Sequence, residues 1–167
     1  MKTWKLLKNH PKLWDRYFIR DKVIKAIRQF FDNQGFHEIE TPVLIAHPPA
    51  ESHLDIFQTS LLDRNRKAYP VYLSTSPEVP LKKLMVAGLG NCYALTKSFR
   101  NMETQGNLHN PEFTILEFYR LGADYRAIME DTEALVVAIA RTLHDSLAIS
   151  YQGKTIDLTP PWERLSV

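Results

Sequence analysis

The stretch from Asn91 to Arg120 restricts what this chain can fold into more than any other. Residues 91–100 read as a strand. Residues 101–112 are polar and hold Gly106, Asn107, Asn110 and Pro111, which is loop chemistry. Phe113 to Arg120 reads as a strand again. Side chains alternate along a strand, so Phe113, Ile115, Glu117 and Tyr119 share one face, and Thr114, Leu116, Phe118 and Arg120 the other. One face therefore carries an aromatic ring, an apolar spacer, a carboxylate and a phenol. A buried carboxylate needs a cationic partner or hydrogen bonds. Two partners are open: an internal Lys or Arg, with Phe113 as plain core, or the ammonium of a ligand. Arg100, at the end of the first strand, offers a fixed fork of donors that fits phosphate oxygens. The loop residues that follow could close over a base.

Around this stretch the periodicities alternate between strand and helix. Ile19, Val23, Ile27, Phe30 and Phe31 make one helical stripe within Tyr17 to Asn33, and Gly35 is a stop. Phe36 to Thr41 is extended up to Pro42. Residues 43–54, with His47-Pro48-Pro49, read as a loop. Val71 to Thr75 is a strand with Pro70 just before it. Ser76 caps a helix with Pro77 in its first turn, lined by Leu81, Leu84 and Met85 and ended by Gly88-Leu89-Gly90. Asp124 caps a long helix with the stripe Tyr125, Ile128, Thr132, Leu135, Val136, Ile139 and Leu143. Ser150-Tyr151, a Gln152-Gly153 turn and Thr155 to Leu158 predict a hairpin, closed by Pro160-Pro161. The sum is an α+β chain, an antiparallel sheet flanked by helices.

Composition removes several alternatives. The 167 residues suffice for one domain, and 44% apolar with 24% charged residues excludes a disordered tail or a collagen-like repeat. A single cysteine, Cys92, excludes a disulfide framework and a thiol cluster for zinc, so no metal ligands are assigned. No apolar run is long enough to span a membrane, and the N-terminus lacks the apolar stretch of a signal peptide. A soluble, cytoplasmic chain is expected. Residues 1–28 hold nine Lys/Arg against two acids, while residues 29–167 hold twelve against seventeen. Residues 1–16 form a basic arm that either steers a polyanion such as RNA or is a solvated helix face. Trp4 and Trp14 either pack the arm down or offer stacking surfaces.

The segment Ser98 to Glu103, then His109-Asn110-Pro111-Glu112-Phe113-Thr114, then Glu117-Phe118-Tyr119, resembles motif 2 of class II aminoacyl-tRNA synthetases. The match is to the subgroup activating aspartate, asparagine and lysine, and within it to the lysyl type. The helix followed by Glu38-Ile39-Glu40-Thr41-Pro42 resembles motif 1. Thr75-Ser76-Pro77-Glu78 and Leu81-Lys82-Lys83-Leu84 resemble the start of the amino-acid-binding helix. Ala123-Asp124-Tyr125 and Tyr151-Gln152-Gly153-Lys154 fit as well. The resemblance implies a partial class II catalytic domain over residues 17–167 that stops before the Gly-rich motif 3.

It also implies the chemistry: ATP-dependent activation of lysine or an analogue, with magnesium bridging phosphates. By resemblance Arg100 contacts the α-phosphate, Phe113 stacks on adenine, and Asn101, His109 and Asn110 lie near the nucleotide. Glu78, with Ser76 and Pro77 beside it, receives the α-ammonium. Glu117 and Tyr119 receive the ε-ammonium. The sequence departs from the family at Met102, where a glutamate usually contacts the adenine amino group. Glu103 is expected to take that role through a shifted loop. The implied acceptor is tRNA or, as Thr75-Ser76-Pro77-Glu78 and Ala87-Gly88-Leu89-Gly90 suggest, a lysine of elongation factor P. Motif 1 implies a homodimer. The alternative is a catalytically incomplete module acting by dimerisation or RNA binding.

Overall fold

A computed structural model describes residues 3–103 and 108–165. Gly106 and Asn107, read above as loop residues, lie outside the described residues. The chain divides into two compact units, Gly35–Leu121 and a second formed by Met1–Gln34 with Gly122–Val167.

The first unit is built on the expected hairpin. β5 (Cys92–Phe99) pairs antiparallel with β6 (Glu112–Tyr119), with Cys92 opposite Tyr119, Ala94 opposite Glu117 and Ser98 opposite Phe113. β1 (His37–Glu38) adds to the other edge of β5 but runs parallel to it, so this sheet is mixed rather than antiparallel throughout. A parallel neighbour needs a long crossover, and residues 39–91 supply it. That crossover contains a second, antiparallel sheet in the order β2 (Leu44–Ile45), β4 (Ala68–Leu73), β3 (Gln58–Leu62). Residues 43–54 are thus not loop throughout. β4 starts earlier than Val71 and runs through Pro70, which stands opposite Ser60. The short β2 reaches only Leu73 and Tyr72, so β4 has a single neighbour at Pro70 and the missing N–H costs little.

α3 (Glu78–Val86) closes the crossover, with Pro77 at its cap position. The helix begins one residue later than a Ser76 cap would place it, yet the Ser76 hydroxyl still accepts from the Glu78 N–H at 3.3 Å. Leu81 is fully buried against Cys92 and Ala94, and Ile39, Met85, Leu89 and Tyr119 surround them. Leu84 faces outward, because a nine-residue helix lays only the narrow strip of Leu81 and Met85 on the sheet. On the sheet's other face Phe36 meets Phe118 edge-on at 6.3 Å, and Arg120 lies 5.1 Å from the Phe36 ring.

The second unit holds α1 (Thr3–Asn9), a 3-10 turn at Pro11–Leu13, α2 (Trp14–Asn33), α4 (Tyr125–His144) and the hairpin β7 (Ala148–Tyr151) and β8 (Lys154–Asp157). α2 starts at Trp14, earlier than Tyr17, and packs on α4. Ile27 and Phe31 are buried as the stripe predicts, but Ile19 is exposed. In α4 the Asp124 carboxylate accepts from the Arg126 and Ala127 N–H groups, as an N-cap should. Its buried positions are Leu135, Val137 and Ala140, whereas Tyr125 and Thr132 are exposed. Gln152 and Gly153 both have positive φ, the turn geometry of a two-residue hairpin. Beyond it the Glu133 carboxylate accepts from the Trp162 N–H at 2.7 Å and from Arg164 Nη1 at 2.9 Å. Among the described residues no helix is long and apolar enough to cross a membrane.

Candidate functional site

Pairing of β5 with β6 turns the strand alternation into a shared surface. Cys92, Ala94, Thr96 and Ser98 lie on the same face as Tyr119, Glu117, Ile115 and Phe113. The β5 residues opposite Glu117 and Phe113 are small, Ala94 and Ser98, so the larger β6 side chains stand clear of the sheet.

At one end of this face α3 brings Glu78 to the strand pair. The Tyr119 hydroxyl donates to Glu117 Oε1 at 2.5 Å. Among the described residues Glu117 is engaged by this phenol and not by an internal lysine or arginine. Burial raises the Tyr119 pKa first. The hydrogen bond to Glu117 and the charges of Glu117 and Glu78 push it further up. The phenol therefore stays protonated and keeps donating, and its response to both carboxylates marks the three groups as one electrostatic cluster. Glu78 is half-exposed and takes an ion pair from Lys82 one helical turn along. The Lys82 Nζ also lies 5.8 Å from the Tyr119 ring centroid. Lys82 is not among the residues that the family resemblance assigns, and its i,i+4 spacing from Glu78 is the local signal for the pair.

Pro77 is buried and Ser76 is half-buried, and together they shape the start of α3. The Ser74 hydroxyl donates to the Ser76 carbonyl at 2.7 Å. Ser76 also lines a cleft of about 560 Å³ with His47, Pro49, Val79 and Lys83. Val79 and Lys83, one turn apart, stand on the side of α3 turned away from the buried Leu81.

At the other end the end of β5 meets the loop. Arg100 lies 5.2 Å from the Phe113 ring centroid, and its backbone N–H donates to the Pro111 carbonyl at 3.0 Å. Arg100 Nη1 is 3.9 Å from Glu103 Oε1, and His109 Nδ1 is 3.9 Å from Glu103 Oε2. Arg100 Nε is buried with no hydrogen-bond partner among the described residues. Met102, at the position where the family pattern has glutamate, has φ of +62° and an exposed side chain. That left-handed residue swings the chain so that Glu103, not Met102, turns inward. Asn101 points its backbone elsewhere, donating to the Asp55 carbonyl at 2.8 Å in an isolated bridge. Asn110 is exposed, between His109 and Pro111, which both contact the Arg100–Glu103 end. The structure thus gathers Arg100, Glu103, His109 and Phe113 at one end and Glu78, Glu117 and Tyr119 at the other. It also adds Asp55 and Lys82 as partners that the sequence did not single out.

Comparison with known proteins gives this arrangement a family. A family model described as tRNA synthetases class II (D, K and N) matches residues 3–167. The chain is 41% identical over 160 residues to a lysine–tRNA ligase of Thermoanaerobacter sp., covering 95% of this chain and 31% of the relative. It is 37% identical over 156 residues to that of Carboxydothermus hydrogenoformans, covering 93% and 31%. For Thermotoga maritima the figures are 39% over 157 residues, with 90% and 29% covered. The chain spans about a third of the length of these relatives. With motif-like segments in order and a family match over nearly all of its residues, the chain belongs to the class II tRNA synthetases of the aspartate, lysine and asparagine type.

Proposed function

We propose that this chain carries the amino-acid and nucleotide recognition of a lysine-activating class II synthetase. In the reaction a lysine carboxylate oxygen attacks the α-phosphorus of magnesium-ATP. A new P–O bond to the carboxylate forms as the bond to the β-phosphate oxygen breaks, leaving lysyl-adenylate and pyrophosphate. Little covalent chemistry is asked of the protein, so positioning and charge stabilisation carry the rate.

The observation that carries this reading is the division of one strand face into an anionic end and a cationic end. Phe113 and Glu117 are four residues apart, about 13 Å along β6, a span on the scale of an extended aminoacyl nucleotide. Glu117 holds lone pairs beyond the one that takes the Tyr119 proton, and the substrate's ε-ammonium supplies the missing cation. Glu78 takes the α-ammonium, with Ser76 and Pro77 fixing the start of its helix. Arg100, whose buried Nε has no hydrogen-bond partner among the described residues, is the donor proposed for the α-phosphate. Phe113 offers its ring to adenine, Glu103 accepts from the adenine amino group, and Asn101, His109 and Asn110 border the nucleotide. The described residues bring together no group of three or more His, Cys, Asp or Glu. A magnesium ion carried in on the triphosphate needs only one or two carboxylates and keeps its waters, so it enters as part of the substrate.

The relatives' name makes tRNA the proposed acceptor. A lysine of elongation factor P is the second reading, favoured by Thr75-Ser76-Pro77-Glu78. The whole reaction is proposed for the full length of such a synthetase, of which this chain matches about a third. Trp14, Tyr17 and Phe18 are exposed near the start of α2. They suit a two-fold interface between copies. Phe18→Asp is expected to turn a dimer into a monomer in sedimentation equilibrium at micromolar concentration. A wild-type chain that is already monomeric there would remove the dimer.

Calorimetric titration tests the central reading. L-lysine is expected to bind at least about ten-fold more tightly than norleucine, which lacks only the ε-ammonium, because a charge-assisted pair to Glu117 is lost. Glu117→Gln should erase the preference. Equal affinities for the two amino acids would sink the assignment.

A further inference from the structure

The carboxylate cluster already holds an ammonium, and it belongs to the protein. Lys82 pairs with Glu78 Oε1, and its Nζ lies 5.8 Å from the ring of Tyr119, whose hydroxyl is bonded to Glu117. An ammonium between a carboxylate and an aromatic ring is the environment the proposed substrate would seek. The Lys82 head group is an alkylammonium and presents Glu78 with the same charge and donors as the α-ammonium proposed to bind there. Glu78 and Lys82 are one turn apart on α3, so the contact needs no movement of the backbone.

The pair is built to be broken. The side chains of Lys82 and Glu78 remain 56% and 42% exposed. A half-exposed ion pair between flexible side chains is weak and screened by salt. A buried pair would lock the site. No pair at all would leave Glu78 beside Glu117 with two like charges and no cation to separate them.

We propose that Lys82 is a tethered stand-in for the substrate's ammonium. It neutralises Glu78 while the site is empty and is displaced when a lysine-type amino acid binds. This rests on the reading of the site given above. It extends that reading by adding internal competition: an incoming ligand gains Glu78 only if its own ammonium replaces that of Lys82. A neutral ligand has nothing to exchange and leaves the Lys82 pair intact.

The test compares the full chain with Lys82→Met, which keeps the apolar stem and removes the charge, and with Lys82→Arg, which keeps a competing cation. L-lysine is titrated calorimetrically at low and high salt. Lys82→Met is expected to bind lysine about three- to ten-fold more tightly than wild type at low salt, with the gain shrinking as salt rises. Lys82→Arg should stay within about two-fold of wild type. Lysine bound by wild type but no more tightly by Lys82→Met overturns the stand-in role and leaves the reading of the site in place. A failure of lysine to bind wild type and both variants overturns the two together.

Discussion

The two ends of the β5–β6 face are held by different kinds of structure. Glu117 and Tyr119 sit within β6, opposite Ala94 and Cys92, and α3 is clamped there by the fully buried Leu81. Every group at that end stands on a strand or a helix. Arg100 and Glu103, by contrast, follow the last residue of β5 and are aimed by the turn at Met102. The same sheet therefore supports one cluster set by packing and another set by the course of a loop. The first should keep its geometry unless the core is damaged. The second should change with a single backbone dihedral.

The hardest blow to this contrast is Leu81→Ala. Removing a fully buried leucine should cost about 2–5 kcal/mol, read from urea unfolding. In the fraction that stays folded, lysine affinity should fall while ATP affinity holds. A parallel loss of both would show that the ends are not separately built. Glu103→Ala makes the converse cut. ATP binding should weaken about ten-fold with lysine binding intact, as expected for a lost charge-assisted hydrogen bond. Undiminished ATP affinity would remove Glu103 from the nucleotide site.

Alkaline titration probes the packed end alone. The Tyr119 pKa is raised, so the folded chain keeps a proton that the unfolded chain, at the ordinary 10.0, begins to release. This contribution to stability is complete below pH 10 and is lost as pH climbs beyond it. Tyr119→Phe should make the alkaline decline in stability shallower than in wild type. An unchanged slope in urea unfolding across that range would mean that the phenol is not held protonated. The smallest effect is expected at the loop end. Met102→Gly relieves a left-handed residue and should raise stability by about 0.5–1 kcal/mol. A loss of stability would mean that the Met102 side chain contributes contacts there.

Much of the carboxylate end was legible in the chain because alternation along a strand is a local rule. Phe113, Glu117 and Tyr119 fall on one face whatever the rest of the molecule does. The Asp124 cap and the Gln152-Gly153 turn were legible for the same reason, since each depends on the nearest few residues. β3 was not, because all five of its residues are exposed and no burial periodicity marks them. The stripe on α4 was read only in part. The registry of burial depends on which turns α2 covers, and this moved the core from Tyr125 and Thr132 to Val137 and Ala140. At the nucleotide end, Asn101 and Asn110 join Arg100 through the resemblance to motif 2 and not through any local periodicity. The structure adds that the Asn101 backbone is tied to Asp55 and that Asn110 is exposed.

By itself, the sequence determined the family, the strand face that carries a carboxylate and a phenol, and the arginine at the end of its partner strand. These follow from residue types at fixed spacings. Only the tertiary structure decided that α3 brings Glu78 and Lys82 to Tyr119, that Glu103 rather than Met102 turns inward, and that β1 lies parallel to β5. Those are outcomes of long-range contacts and of one left-handed dihedral. Neither periodicity nor composition encodes them, because both describe neighbours along the chain rather than neighbours in space.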